Sequence, residues 1–500
     1  MKNLKKNSTL FLLGIILLIG AFLRLQGAFT GSFAFTYDVG RDMLAVSQIL
    51  STHKLPLIGP TTGLHGLFYG PWWYYILIVP FIPSGGNPAG IVVFIAITGI
   101  LTSFIAYILG KKISGNFLGL SFAGLVAVSP VMIGITSQIW NPNLAPFFIV
   151  FLFLLFHHMF VFLEKKKVIP FYYFLLFGVL LGLIFDTEIV FGLLLDSAMV
   201  LSLIIIIWKK IRVSYVLSTV LGFLIILAPR MLFELRHQFL MSKNLVATFT
   251  HPAGNSVSSF SPQILNRLIS LKNLWDETLA VKNSLLGTLL LIFAFASVIY
   301  FYKKTITQTK SFIKIIIITL VVFFVGLNFL SGDVWSHYVV GIPLFYIFIL
   351  AIAFDICRKQ KKFAFVILAA VVILLILNLK PLELYKNVTG PRWEGDASVY
   401  RNQVAGIDYI YLQAKGKPFK YVTYTPPIYD YTYQYLFAWY GKNTYHYIPV
   451  SKSDLAFFIL EPDTQYPFRL TDWLKSREKD GKVIRDKVVK GGIRVQTRVP

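Results

Sequence analysis

Between Leu10 and Leu379 the chain passes through one apolar stretch after another, several of them close to the roughly 20 residues that a helix needs to cross a bilayer. Of the 500 residues 56% are hydrophobic and only 14% are Asp, Glu, Lys or Arg, whereas about a quarter of a soluble globular protein is charged. A polytopic α-helical membrane protein is the fold class this dictates.

The formal net charge of +24 would suit a nucleic-acid partner, but its distribution excludes one. The basic residues lie in short clusters between apolar runs, at Lys111 and Lys112, Lys165 to Lys167, Lys209 to Arg212, Lys303 to Lys314 and Arg358 to Lys362. That is the positive-inside pattern, which orients helices in a membrane. No basic stripe with interleaved stacking aromatics accompanies it. With the N-terminus on the cytoplasmic side, spans near 10–28, 89–109, 117–136, 144–163, 168–186, 189–208, 214–232, 284–302, 313–331, 339–356 and 363–379 put every cluster inside. The expectation is therefore about 11 spans in the plasma (cytoplasmic) membrane. It holds only if Trp72 to Ile82, too short to span and rich in Trp and Tyr, lies at the headgroup level. The first apolar run is expected to be a retained helix, because Arg24 and Gln26 interrupt its outer end and no small-residue cleavage site precedes them.

Three pieces then face outward: 29–88, 233–283 and everything after Lys380. We divide the chain into a transmembrane domain, 1–380, with its first outer loop at 29–88, and an extracytoplasmic C-terminal domain, 381–500. The latter is expected to be a small α/β unit, with β-like runs at Tyr421 to Tyr424 and Ile493 to Thr497 around a helix near Tyr431 to Trp439. The single cysteine, Cys357, excludes an intrachain disulfide and a cysteine-based metal site.

Ionisable residues at membrane depth are costly and mark functional sites. They gather on the expected outer side. In Phe35-Thr36-Tyr37-Asp38-Val39-Gly40-Arg41-Asp42 a helix beginning near Asp38 brings Asp38, Arg41 and Asp42 onto one face. Two carboxylates and a guanidinium there suit chemistry on a charged, lipid-borne substrate. Further on come Asp186 and Glu188, Asp333 and His337, and Arg230 with Glu234 four residues later. Each has a structural alternative: a solvated turn for Asp186 and Glu188, an interfacial anchor for His337, and mutual pairing for Arg230 and Glu234. Asp196 falls inside a span, where interhelical hydrogen bonds would hold it. His65-Gly66-Leu67-Phe68-Tyr69-Gly70-Pro71-Trp72-Trp73-Tyr74-Tyr75 is a turn that starts an aromatic helix. No nucleotide-binding loop or zinc motif is present, and no serine triad can be nominated from spacing.

This order of elements resembles the GT-C glycosyltransferases, in particular the branch with protein O-mannosyltransferases and the aminoarabinose transferases of lipid A. There a first helix leads into an outer loop with an acidic motif, a His-Pro-Pro or His-Gly-Pro turn and a Tyr-rich interfacial helix. The resemblance spans most of 1–380 and is sharpest over 29–83. It implies a glycosyltransferase that moves a sugar from a polyprenyl-phosphate donor to a protein, lipid or glycan acceptor at the outer face, with inversion. Asp38 matches the catalytic acidic position and would act as general base. The family's paired acidic residues are adjacent, whereas here Val39 follows and the second carboxylate is Asp42, which would orient Arg41 or hold a metal. The positive charge for the leaving phosphate would come from Arg41, Arg230, His337 or a divalent cation. Tyr37, Tyr69, Tyr74 and His65 are the substrate-binding candidates, with either Tyr69 or His65 in the histidine's place.

The alternative from another class is a transporter or lipid flippase. It would require internal repeats and broken helices at midplane, whereas the acidic residues here cluster toward one side.

Overall fold

The computed structural model describes residues 2–63, 66–250, 260–330, 332–380, 395–426 and 428–500. The N-terminal body is built of helices α1 (Lys2–Thr30), α2 (Tyr37–Thr52), α3 (Trp72–Phe81), α4 (Pro88–Ser114), α5 (Asn116–Val128), α6 (Pro130–Ile135), α7 (Ala145–Glu164) and α8 (Phe171–Thr187). It continues with α9 (Ile189–Ile207), α10 (Val213–Arg236), α11 (Leu240–Thr250), α12 (Phe260–Leu279), α13 (Ser284–Phe301), α14 (Thr307–Leu327), α15 (Ile342–Arg358) and α16 (Ala364–Leu379). Among the described residues nine helices are long and apolar enough to cross a membrane, and they coincide with nine of the eleven expected spans. The helix at 72–81 is only 10 residues long, as its short apolar run requires.

The other two expected spans are shorter helices. One is α8, with 17 residues. The segment 117–136 is divided into α5 and α6 at Ser129 and Pro130. Pro130 has no N–H to offer the turn before it. Arg24 takes its place: Nη2 donates to the Val126 carbonyl at 2.9 Å and Nη1 to the Ala127 carbonyl at 2.8 Å, while Nε donates to Thr136 Oγ1 at 2.7 Å. The charge that interrupts the first apolar run is fully buried and caps a broken helix. The expected outer loop 233–283 is also partly helical, holding α11 and α12.

A helix apolar all round belongs in the middle of a bundle. Every residue of α15 from Ile342 to Cys357 is buried. By contrast α10, α13 and α16 expose Leu217, Ile299 and Phe365, the surface expected where lipid is the solvent. Helices α8 and α10 meet backbone to backbone. A Cβ on Gly178 would fall 1.9 Å from the Thr219 carbonyl oxygen, and one on Gly222 would fall 2.1 Å from that of Leu175. Such small-residue contacts let helices approach closely. One turn further along the same seam Gly182 meets Ile226, and the next turn brings Asp186 to Arg230.

The C-terminal part forms a four-stranded sheet of β1 (Lys420–Tyr424), β2 (Ala456–Leu460), β3 (Lys482–Val488) and β4 (Arg494–Val499), in the order β1-β2-β4-β3. Strand β2 pairs parallel to β1 and antiparallel to β4, so it is central, and its sequence Ala-Phe-Phe-Ile-Leu is buried throughout. Phe457 and Ile459 join the main core with Ile407 and Tyr411 of the helix Tyr400–Ala414, whereas Phe458 and Leu460 pack under Trp473 and Leu474 of the helix Pro467–Ser476. The expected boundary at 380/381 adjoins residues 381–394, outside the described ones.

This sheet unit is tied to the helical body through backbone. Phe35 N–H donates to the Ser398 carbonyl at 2.8 Å and Tyr400 N–H to that of Phe33 at 3.0 Å, around a bridge between Ala34 and Val399. The segment leading into α2 is thereby held by the C-terminal unit.

Candidate active site

The α2 helix starts where an extended Thr36 (φ −81°, ψ 170°) gives way to Tyr37. Asp38 thus falls in the first turn, where the helix dipole favours a carboxylate. The spacing does what its periodicity predicts. Arg41 Nη1 lies 2.7 Å from Asp38 Oδ1, and its Nη2 and Nε lie 2.8 Å and 2.9 Å from Asp42 Oδ1. One guanidinium is held between two carboxylates, and both hold it in its charged form.

The carboxylates differ in setting. Asp38 keeps 28% of its side chain exposed, Asp42 only 2%. Asp42 Oδ2 accepts the Trp73 indole N–H at 2.7 Å. Burial pushes the Asp42 carboxyl up to about 6, against the pull of Arg41 and of the Trp73 hydrogen bond. Tyr74, one residue along α3, adds its phenol to the Arg41 cluster.

The turn before α3 is seated on the α8–α10 seam. Trp72 backbone N–H donates to Asp186 Oδ2 at 3.3 Å, and its indole donates to the Ile226 carbonyl at 2.7 Å. Asp186 is fully buried and ion-paired with Arg230 at 2.6 Å. Gly70 lies over that carboxylate: any Cβ there would fall 1.5 Å from Asp186 Oδ1. Tyr69, next to it, donates its hydroxyl to Glu188 Oε2 at 2.7 Å. Glu188 is buried at the start of α9 and its burial raises the carboxyl to about 7. Burial and the Glu188 charge in turn raise the Tyr69 phenol well above its usual range.

Three structural alternatives weighed from the sequence are corrected here. Asp186 and Glu188 are not a solvated turn. Both are buried, because the Gly70-Pro71-Trp72 backbone closes over them. Arg230 does not pair with Glu234. It turns inward to Asp186, and Glu234 instead accepts the Met241 and Ser242 N–H groups at 2.8 Å and 3.0 Å, capping α11. Asp196 has no interhelical hydrogen bond, since neither carboxylate oxygen finds a partner among the described residues.

In front of Asp38 is a cavity of about 360 Å³. Its walls are the chain from Ala34 to Val39, the loop Gln138 to Trp140, and residues of the C-terminal unit. Tyr37 forms part of the rim, stacked at 6.0 Å on Tyr429, which stacks in turn on Tyr431 at 5.5 Å. His337 stands behind the cavity wall, edge-on to Trp140 at 5.2 Å and to Tyr338 at 4.5 Å. Of the sequence candidates, Tyr37 and Asp38 line the cavity, while Arg41, Asp42 and Tyr74 support it from behind. Tyr69 and Arg230 belong to the adjoining Glu188 and Asp186 clusters, and His65 lies outside the described residues. The contribution of Gln403 and Glu461, more than 360 residues from Asp38 in the chain, went unread. The one available signal is a carboxylate directly after the wholly apolar strand β2.

The residues around Asp38 do not fit a divalent cation. Both Asp42 oxygens are engaged by Arg41 and Trp73, and Arg41 occupies the space between the carboxylates. Among the described residues no three His, Cys, Asp or Glu side chains converge on a point.

No family model and no curated protein matches this sequence. Its fold has a solved counterpart. ArnT from Cupriavidus metallidurans, solved bound to undecaprenyl phosphate, superposes with a TM-score of 0.60 at 11% identity, over 99% of this chain and 98% of that one. The archaeal oligosaccharyltransferase AglB from Archaeoglobus fulgidus, in complex with an inhibitory peptide and a dolichol-phosphate, matches at a TM-score of 0.49 and 13% identity, over 89% of this chain and 64% of AglB. At 11% identity what is shared with ArnT is the fold. The chain is a multi-pass membrane protein with the GT-C fold, as the order of its sequence elements led us to expect.

Proposed function

We propose that the chain is an integral-membrane glycosyltransferase that transfers a sugar from a polyprenyl-phosphate donor to an acceptor at the outer face of the membrane, with Asp38 as general base. The observation that carries this reading is the cavity. Asp38 is an ionisable side chain at its wall, partly exposed and oriented by an ion pair. The likeness to ArnT, solved with a lipid phosphate bound, supports the donor class.

Asp38 takes a proton from the acceptor hydroxyl or amine as that atom attacks the anomeric carbon. The new bond forms on the face opposite the departing phosphate, whose oxygen keeps the electron pair, and configuration inverts. Arg41 holds the Asp38 carboxylate in one rotamer, and Asp42, buried and tied to Trp73, is a positioning residue for Arg41. With two carboxylates and one guanidinium this triplet carries a net negative charge. The cation for the leaving phosphate therefore has to come from outside it, and Arg230, whose buried Nε has no hydrogen-bond partner among the described residues, is the group we assign to that role. Tyr37, at the rim of the cavity, presents an aromatic face to the sugar.

The test is transfer by purified protein in lipid from a panel of radiolabelled polyprenyl-phosphate sugars, wild type against Asp38→Asn. Removing a general base should lower turnover by about 10²–10⁴-fold. Equal turnover by a folded mutant would remove Asp38 from the mechanism.

A further inference from the structure

The cavity in front of Asp38 is not a feature of the helical body alone. Ser398, Gln403, Thr425, Tyr429, Thr432 and Glu461 of the C-terminal unit supply much of its wall. Two of them have the character of a built site. Gln403 is 1% exposed; its Nε2 donates to the Phe35 carbonyl at 3.3 Å, and its Oε1 has no hydrogen-bond partner among the described residues. Glu461, 8% exposed, follows the buried strand β2. Its backbone N–H is fixed by the Tyr424 carbonyl at 2.9 Å, and its Oε1 accepts the Tyr433 hydroxyl at 2.9 Å. Leaving a buried amide oxygen without a donor is costly, and here the residue that carries it lines a cavity.

We infer that Gln403 and Glu461 form a subsite, contributed by the C-terminal unit, that accepts hydrogen bonds from the ring hydroxyls of a sugar in the Asp38 cavity. The chemistry is that of carbohydrate recognition. An amide oxygen and a carboxylate are acceptors for vicinal hydroxyls, and the Tyr37–Tyr429–Tyr431 stack at the rim offers flat apolar surface to the ring's C–H face. Burial raises the Glu461 carboxyl to about 7, against the pull of hydrogen bonds from Tyr433 and Gln403. The sugar has two sources, the donor's sugar or a glycan acceptor. In either case the C-terminal unit reads the sugar, while Asp38 and the helical body perform the transfer. This rests on the glycosyltransferase reading, and the test separates the two.

The full-length protein in lipid nanodiscs is titrated with polyprenyl-phosphate hexoses and pentoses, with bare undecaprenyl phosphate and with free oligosaccharides, following tryptophan fluorescence. Glu461→Gln and Gln403→Met, both near-isosteric, are compared with wild type and with Asp38→Asn, each checked for an unchanged melting midpoint. The subsite predicts that the wild type binds a sugar-bearing ligand more tightly than bare undecaprenyl phosphate. Each subsite variant should lose at least tenfold of that preference without changing affinity for the bare lipid phosphate, and Asp38→Asn should keep it. Loss confined to lipid-linked sugars identifies the donor, and loss confined to oligosaccharides identifies the acceptor. Wild-type discrimination by either subsite variant, or no discrimination by the wild type, overturns the subsite. Discrimination lost in the variants, in a wild type that transfers none of the bound sugars to water or acceptor, would overturn the transferase reading and leave the subsite standing. Should Glu461→Gln fail to fold, Gln403→Met decides by the same criterion.

Discussion

The indole N–H of Trp73 donates to Oδ2 of Asp42 at 2.7 Å, inside the packing between α2 and α3. That bond favours the ionised carboxylate, whose carboxyl stands near 6 because burial outweighs its partners. As pH falls through about 6 Asp42 takes up a proton and loosens its hold on Arg41, so transfer should show an acid limb near that pH. Trp73→Phe keeps the ring and removes the donor, which raises the Asp42 carboxyl further. The acid limb should then move up by roughly half to one pH unit. A pH–rate profile of both proteins checks this, and a limb that stays in place would show that Asp42 does not govern it.

Glu188 sets a pH dependence of stability with a defined sign. Its carboxyl is raised from 4.5 to about 7 in the folded protein. Between those values the folded state binds more protons than the unfolded one, so this group's contribution falls as pH rises from about 4.5 through 7 and is flat above. The difference is on the order of a few kcal/mol. Glu188→Gln should flatten the dependence of the melting midpoint on pH between 5 and 8. Tyr69→Phe, which removes the hydroxyl donating at 2.7 Å, should steepen it.

Gly70 and Asp186 leave no room for a side chain between them, with a Cβ only 1.5 Å from the carboxylate oxygen. Gly70→Ala must displace Asp186 from Arg230, and uncoupling a buried ion pair costs about 3–5 kcal/mol. A melting midpoint lowered by several degrees is expected. Gly63→Ala, in the same loop with nothing within 4 Å of the new Cβ, should leave it unchanged. Equal midpoints would mean that the turn shifts freely and that the Asp186–Arg230 pair does not depend on it.

The parts of this protein governed by local rules were open to sequence reading. Nine spans followed from apolar length and basic flanks, and the Asp38–Arg41 pair followed from helical spacing alone. The division of 117–136 depended on Pro130, visible in the sequence, and on Arg24, whose partner carbonyls lie more than 100 residues away. Glu188 and Asp186 read as a polar turn because nothing local says that Gly70 and Tyr69 close over them. Gln403 and Glu461 carry no periodic signal at all. They enter the cavity only because the C-terminal unit docks on the chain before α2, and docking between distant segments is written in surfaces rather than in spacing.

Gly40 makes that docking testable. A Cβ at Gly40 would fall 2.5 Å from the Thr432 nitrogen and 2.5 Å from the Tyr431 carbonyl carbon, both backbone atoms that cannot rotate away. Thr432 lines the cavity and Tyr431 belongs to the rim stack, so the displacement acts directly on the site. Gly40→Ala should therefore lift the C-terminal unit from α2 while leaving the helical bundle assembled. Limited proteolysis should release fragments from the region beyond Lys380 faster than in the wild type, and transfer should drop at least tenfold. Gly134→Ala, with nothing within 4 Å of the new Cβ, provides the control. If Gly40→Ala opens the C-terminal unit to protease yet transfers at the wild-type rate, the Asp38 cavity does not need the wall that unit supplies. If neither property changes, the α2 contact yields locally and the glycine is not what fixes the two parts together.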